Sequence, residues 1–262
     1  MDLGLTGRVA LVAASSRGLG KATAMQLAAE GAKVMISGRH EGELEASAAE
    51  IGGETGAEVA YWVADVTRGE DVQGLVDRTT GRFGRLDVLI TNAGGPPAGN
   101  FDAFEDADWQ GAFELNLLSV VRLVRAGLPH MREKGYGRIV NVASSSIKQP
   151  LENLILSNVF RAAVLGLSKS LSAELAPDGI LINTLGPGRI ATDRLTSMQE
   201  SMAEEAGIPV GEMRARSEAQ IPLGRHGRPE EFARIAAFLA SEANTYVTGQ
   251  ALLVDGGMVR AL

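Results

Sequence analysis

The chain has 262 residues, of which 45% are hydrophobic, with no cysteine and a formal net charge of −7. That length suits one large α/β domain, and the apolar content suits a sizeable core. The acidic balance argues against nucleic acid or an anionic membrane as a main partner, and the lack of cysteine excludes disulfides, thiol catalysis and zinc–thiolate sites.

Taken in chain order, Val9–Ala14 is a short apolar run of the length expected of a buried parallel strand. Ser15–Gly20 supplies a turn with two glycines. Lys21–Glu30 then carries small and apolar residues at helical spacing until Gly31 stops it. Strand, glycine-rich turn and helix in that order make an anion site, because free N–H groups and the positive end of the helix dipole face whatever the turn wraps. Gly18 and Gly20 would let a pyrophosphate approach the backbone.

Lys33–Ser37, Ala57–Ala64 and Leu86–Thr91 read as further strands, separated by helices over Glu41–Ile51 and Gly69–Phe83. Asp106–Lys134 reads as one long helix stopped by Gly135, Arg138–Val142 as a strand, Ser157–Leu175 as a helix and Leu181–Leu185 as a strand. Thr192–Gln220 is polar, Met-rich and helical in character, and reads as an inserted lid. Glu230–Ser241 is a last helix and Ala251–Val254 a last strand. The alternation implies βαβ crossovers, hence an α/β fold: a single doubly wound domain with a seven-stranded, mainly parallel sheet and helices on both faces. No apolar run is long enough to span a bilayer, since Arg161 interrupts Leu154–Leu167, and the opening residues lack a signal-peptide pattern. A cytoplasmic protein is expected.

In a doubly wound sheet, ligands bind at the carboxyl ends of the strands near the switch point. After the second strand come Ser37, Gly38 and Arg39. An acid there would bond a ribose 2′-OH; Arg39 instead would pair with a 2′-phosphate, with Arg17 closing on it from the turn. The pattern favours NADP(H) over NAD. After the third strand stand Asp65 and Val66, and after the fourth Asn92, Ala93 and Gly94, which alone read as an Asx-turn or helix cap. His40, His130 and His226 are scattered without metal-ligand spacing, so no metal site is expected.

The run Ala14-Ser15-Ser16-Arg17-Gly18-Leu19-Gly20 resembles the T-G-x-x-x-G-x-G turn of the short-chain dehydrogenase/reductase family, with Ala14 where the first glycine usually stands. The resemblance extends from about Leu5 to Gly257 and implies a Rossmann-type fold. It implies that Asp65 bonds the adenine amino group and that Asn92-Ala93-Gly94 is the turn beneath adenosine. Pro187, Gly188, Ile190 and Thr192 match the P-G-x-x-x-T segment that holds the nicotinamide carboxamide. The family's active site uses Asn, Ser, Tyr and Lys, the last two spaced Y-x-x-x-K. Asn116 and Ser144 fit the first two places, but Ser157 stands in the tyrosine place and Arg161 in the lysine place. Only Tyr61, Tyr136 and Tyr246 are present, none of them on this helix.

Arg161 can still bind ribose hydroxyls and supply fixed positive charge, because guanidinium stays protonated. Ser157 is a poor replacement acid, and Lys148 is the best alternative proton source. The resemblance to 3-oxoacyl-(acyl-carrier-protein) reductases is closest in motif set, and implies an NADP(H)-dependent oxidoreductase acting on a small-molecule ketone/alcohol pair with atypical acid–base residues. A second reading is a nucleotide-binding sensor or partner subunit with little redox turnover. Paired long helices and the last strand build tetramers in proteins of this kind, so a homotetramer is expected.

Overall fold

The computed structural model describes residues 2–261, arranged as a seven-stranded sheet in the order β3-β2-β1-β4-β5-β6-β7. The strands are β1 Val9–Val12, β2 Lys33–Gly38, β3 Val59–Val63, β4 Val88–Thr91, β5 Gly137–Val142, β6 Ile180–Pro187 and β7 Ala251–Val254. Every neighbouring pair is parallel, so the sheet is wholly rather than mainly parallel. The chain order reverses between β1 and β4, which pair through Leu11 and Leu89, and this opens a crevice at their carboxyl ends.

Helices cover both faces. On one lie α1 Gly18–Ala29, α2 Glu41–Thr55 and α9 Pro229–Leu239, packed with Val12, Val34, Ile36 and Ile90 around Leu27, Leu44 and Phe232. On the other lie α3 Gly69–Phe83, α5 Ser119–Lys134 and α6 Ile155–Leu175, packed with Leu11, Leu89, Ile139 and Ile182 around Leu75, Leu123 and Val164. Burial on both faces explains why the central strands read as continuous apolar runs instead of alternating ones.

Two differences from the sequence expectation bear on the site. First, α1 begins at Gly18, not Lys21, so Gly20 lies inside the helix and buried. Second, the expected single helix Asp106–Lys134 is α4 Asp106–Phe113 and α5, joined by a π-helical turn over Glu114–Leu118. The wider turn spans only five residues, too few for a change of period to show, and it includes Asn116. The polar Thr192–Gln220 segment folds as α7 Asp193–Ala206 and α8 Val210–Ala219, between β6 and α9. No helix among the described residues is long and apolar enough to cross a membrane.

Ala14 has φ of +47°, a left-handed conformation in a residue carrying a Cβ. That conformation costs an L-residue about 1–2 kcal/mol, while a glycine returns about 0.4–1 kcal/mol through the freedom of its unfolded chain. Ala14→Gly is therefore expected to stabilise the protein by about 0.5–1 kcal/mol. A rise in the urea midpoint at unchanged slope is the expected reading; a fall would mean that the Ala14 methyl group packs better than the strain costs.

Candidate active site

The glycine-rich turn leaves β1 and enters α1. Ser15 is buried; its Oγ donates to Val12 O at 2.6 Å and accepts from the Ser37 backbone N–H at 3.1 Å, which ties the turn to β2. Gly18 adopts φ of +58°, where a side chain would be strained. Gly20 also serves the protein's own packing. A Cβ there would lie 2.8 Å from Ser15 Cα and 2.9 Å from Asn92 Nδ2, and closer still to Ala14 O. Its missing side chain lets the helix sit on its own turn. Leu19 packs against the core. Asn92 Nδ2 donates to Ala14 O at 3.0 Å, bracing the strained residue from the end of β4.

At the end of β2, Ser37 and Gly38 are buried while Arg39 projects into solvent. Ser37 Oγ has no hydrogen-bond partner although buried. Arg17 and Arg39 are both exposed, and neither forms an ion pair or side-chain hydrogen bond among the described residues. Glu43, at the start of α2, accepts from Ser16 Oγ at 2.9 Å and so places an acid at the same mouth; sequence reading missed it. Asp65 caps its own turn, accepting from the Thr67 N–H at 2.9 Å and the Thr67 hydroxyl at 2.7 Å. Burial raises its pKa, but the Thr67 bonds, helped by the Arg39 charge, hold it below the usual value. Val66 is buried in the core, and Ala93 packs against it.

The centre of the cleft is built around one carbonyl. Gly94 O accepts from Asn116 Nδ2 at 2.9 Å and from Arg161 Nη2 at 3.2 Å. Arg161 Nη1 donates to Val142 O at 2.9 Å, so this guanidinium bridges the ends of β4 and β5. It is buried, and burial pushes its pKa down to about 10, with the Arg194 charge acting in the same direction. It remains a cation at neutral pH. Asn116 is wholly buried, yet its Oδ1 has no partner.

Ser144 caps a 3-10 turn over Ser145–Ile147, its Oγ accepting from the Ser146 N–H at 3.1 Å. Ser157 is 9% exposed and forms no side-chain hydrogen bond among the described residues. Lys148 stands on the exposed loop beyond the turn. Ser157, Arg161, Val164, Ser168, Ser172 and Leu175 are the buried positions on one face of α6. Ser168 clamps that face to the sheet: Asn141 Nδ2 donates to its Oγ at 2.7 Å and Thr184 Oγ1 at 2.8 Å. Thr91 Oγ1 extends the chain to Asn141 Oδ1 at 2.6 Å. This buried polar ladder across β4, β5 and β6 fixes the helix that carries positions 157 and 161, and no motif announced it.

Pro187 ends β6. A Cβ at Gly188 would lie 2.6 Å from Asp255 Cβ, so this glycine lets the segment pass the C-terminal loop. Ile190 is buried and bridges to Gly227, and Thr192 opens α7. Behind α7 and α8, buried His226 lies 2.9 Å from Ser217 Oγ, 3.4 Å from Gln199 and 3.7 Å from Glu218. Burial lowers its pKa despite Glu218. His226 thus ties the two helices together. The tyrosines lie elsewhere: Tyr61 on β3, Tyr136 stacked between Arg8 and Arg138 at the start of β5, and Tyr246 almost fully exposed. No group of acidic or histidine residues suited to a metal occurs among the described residues.

Residues 13–259 match the family described as enoyl-(acyl carrier protein) reductase. The chain is similar to the 3-oxoacyl-(acyl-carrier-protein) reductase FabG of Vibrio cholerae, 36% identical over 258 residues that cover 98% of this chain and 99% of that one. It is also similar to the NADPH-dependent reductase BacG of Bacillus subtilis, 31% identical over 98% of this chain and all of the relative. The crystal structure of L-sorbose reductase from Gluconobacter frateurii, complexed with NADPH and L-sorbose, superposes with a TM-score of 0.96 at 34% identity, covering both chains in full. With its glycine turn, parallel sheet and full-length likeness to these reductases, the chain belongs to the short-chain dehydrogenase/reductase family.

Proposed function

We propose that this protein is an NADP(H)-dependent ketone reductase whose proton-donating machinery departs from the family pattern. The observation that carries the reading is the pair of unpaired guanidinium groups, Arg17 and Arg39, flanking the turn between β1 and α1, with the orphaned Ser37 Oγ behind them. These groups fit a nucleotide with a 2′-phosphate. Backbone N–H groups of Ser15–Gly20 would hold the pyrophosphate, the Asn92–Gly94 turn would lie beneath the adenosine, and Asp65 would bond adenine through the oxygen that Thr67 leaves free. Pro187, Gly188, Ile190 and Thr192 would hold the carboxamide, and the remaining Arg161 N–H groups would meet the ribose.

When bound, NADPH supplies the hydride that a carbonyl carbon accepts as the ketone becomes an alcohol. This chain's part is to polarise the carbonyl oxygen and deliver one proton to it. Ser144 Oγ, which uses only an acceptor position on Ser146, and Ser157 Oγ are free to donate. Lys148 would resupply the proton from solvent. Helices α7 and α8 would act as the lid. Tetramer formation finds support in the exposed Phe101 and Val159, beside an aromatic row of Phe101, Trp109, Phe160 and Phe113. The reductase names of the relatives favour turnover over a silent sensor.

The test is the cofactor itself. Fluorescence titration is expected to show NADPH bound more tightly than NADH, and absorbance at the nicotinamide band to show its consumption with ketones. Arg39→Asp should reduce the preference by about 10- to 100-fold, the worth of lost charge-assisted bonds, because it leaves Glu43 and a second acid facing the phosphate. Equal affinity for both cofactors in the parent chain would sink the assignment.

A further inference from the structure

The active cleft contains a second arginine that neither the family motifs nor the cofactor accounts for. Arg194, in the first turn of α7, crosses to the loop after β4, donating through Nη1 to Gly95 O and through Nη2 to Pro96 O, both at 3.3 Å. Gly95 shapes this seat: a Cβ there would lie 2.6 Å from Arg194 Cζ. Arg161 reaches the neighbouring carbonyl, Gly94 O, from the buried side. Two guanidinium groups therefore meet on consecutive carbonyls of one loop.

Among the described residues neither guanidinium has a carboxylate partner, although the chain carries 32 acidic side chains. Some other arginines do find acids: Arg8 and Arg85 pair with Asp87, and Arg225 with Glu231, whereas Arg138 and Arg189 donate only to neutral acceptors and Arg17 and Arg39 to none among the described residues. Like charges held together in a partly water-excluded place repel, and their repulsion is relieved by an anion. The Arg194 bonds are long and go to neutral acceptors. A carboxylate offers the same fork two charged oxygens at shorter range.

We infer that the natural substrate is a ketone bearing a carboxylate, and that Arg194 recognises that carboxylate, the nearby charge of Arg161 adding to the attraction while its remaining N–H groups stay with the cofactor ribose. The inference rests on the reductase reading above and adds the class of substrate. Arg194 is exposed, so it meets the substrate at the mouth, whereas Arg161 is at the floor beside Asn116, whose unpartnered Oδ1 takes a hydrogen-bond donor from the bound molecules. A carboxylate clamped there leaves the ketone end of the same molecule to Ser144 and Ser157. Because the cofactor pyrophosphate is the other anion that could reach α7, the experiment separates the two.

Acetoacetate, levulinate and 5-oxohexanoate are compared with their methyl esters in the parent chain, in Arg194→Met and in Arg194→Lys. For the best of the three, the acid is expected to exceed its ester in kcat/KM by about 10- to 100-fold, with most of that ratio lost in Arg194→Met and partly kept in Arg194→Lys. NADPH affinity should stay within about twofold, since no cofactor contact is removed. Calorimetric titration of levulinate into the protein with NADP+ supplies a readout independent of turnover: binding should be seen in the parent chain and lost in Arg194→Met. Parent-chain preference for esters, or a tenfold loss of NADPH affinity in Arg194→Met with the acid/ester ratio intact, would overturn the inference. Carboxylate binding without reduction of any ketone would sink the redox reading and leave the carboxylate subsite standing. Brisk reduction of neutral ketones with no carboxylate binding would do the reverse.

Discussion

Ser157→Tyr combined with Arg161→Lys is expected to accelerate reduction of a plain ketone such as cyclohexanone by about 10²–10⁴-fold, the usual worth of a positioned general acid. The two residues share the buried face of α6, and the Ser168 clamp holds that face on the sheet, so a phenol at 157 and an ammonium at 161 would stand in fixed relation. Ser157 Oγ has no partner to lose. The ring carries the donor further from the helix, and the ammonium lowers the phenol pKa. Neither change alone should do much. A phenol beside the Arg161 guanidinium keeps a rigid fork engaged with Gly94 O and Val142 O, and a lysine without a phenol has nothing to activate. The measurement is kcat at saturating NADPH, with cofactor affinity followed in parallel. A full gain from Ser157→Tyr alone would mean that Arg161 already serves as the charged partner. No gain from the pair, with cofactor binding intact, would place the reacting carbonyl somewhere other than beside position 157.

Gly20→Ala should weaken nucleotide binding by roughly 10- to 100-fold. The added methyl group would press on Ala14 O, Ser15 Cα and Asn92 Nδ2, two of them backbone atoms of the turn itself. Overpacking of this kind costs about 1–3 kcal/mol, and here the strain falls on the atoms that frame the anion site. Ala14 is already left-handed and braced only through its carbonyl by Asn92, so the turn has little room to yield. Gly42→Ala is the matched control: a Cβ there meets nothing within 4 Å, and the change should leave affinity alone while favouring α2 slightly. Equal affinities for the parent chain and Gly20→Ala would show that the pyrophosphate does not depend on this turn.

Much of the molecule was legible from residue order because the relevant signals are local. Strand runs, the helix stops at Gly31 and Gly135, and the glycine turn each depend on neighbours a few residues apart, and alternation of strands and helices leaves few topologies. The same locality made Arg17 and Arg39 readable, since Arg39 directly follows β2 and Arg17 lies in the turn between β1 and α1. What needed the tertiary structure was whatever joins distant stretches. The π-helical turn at Asn116 is only five residues long and has no local mark. That Gly20 also gives clearance for the protein's own packing shows only in the approach of Asn92 from β4. Arg194 sat unnoticed in a polar helix because its partners, Gly95 and Pro96, lie almost a hundred residues earlier. Side-chain chemistry told what each group could do; the meeting of α6, α7 and the loop after β4 decided which charges would face one another without an acid between them.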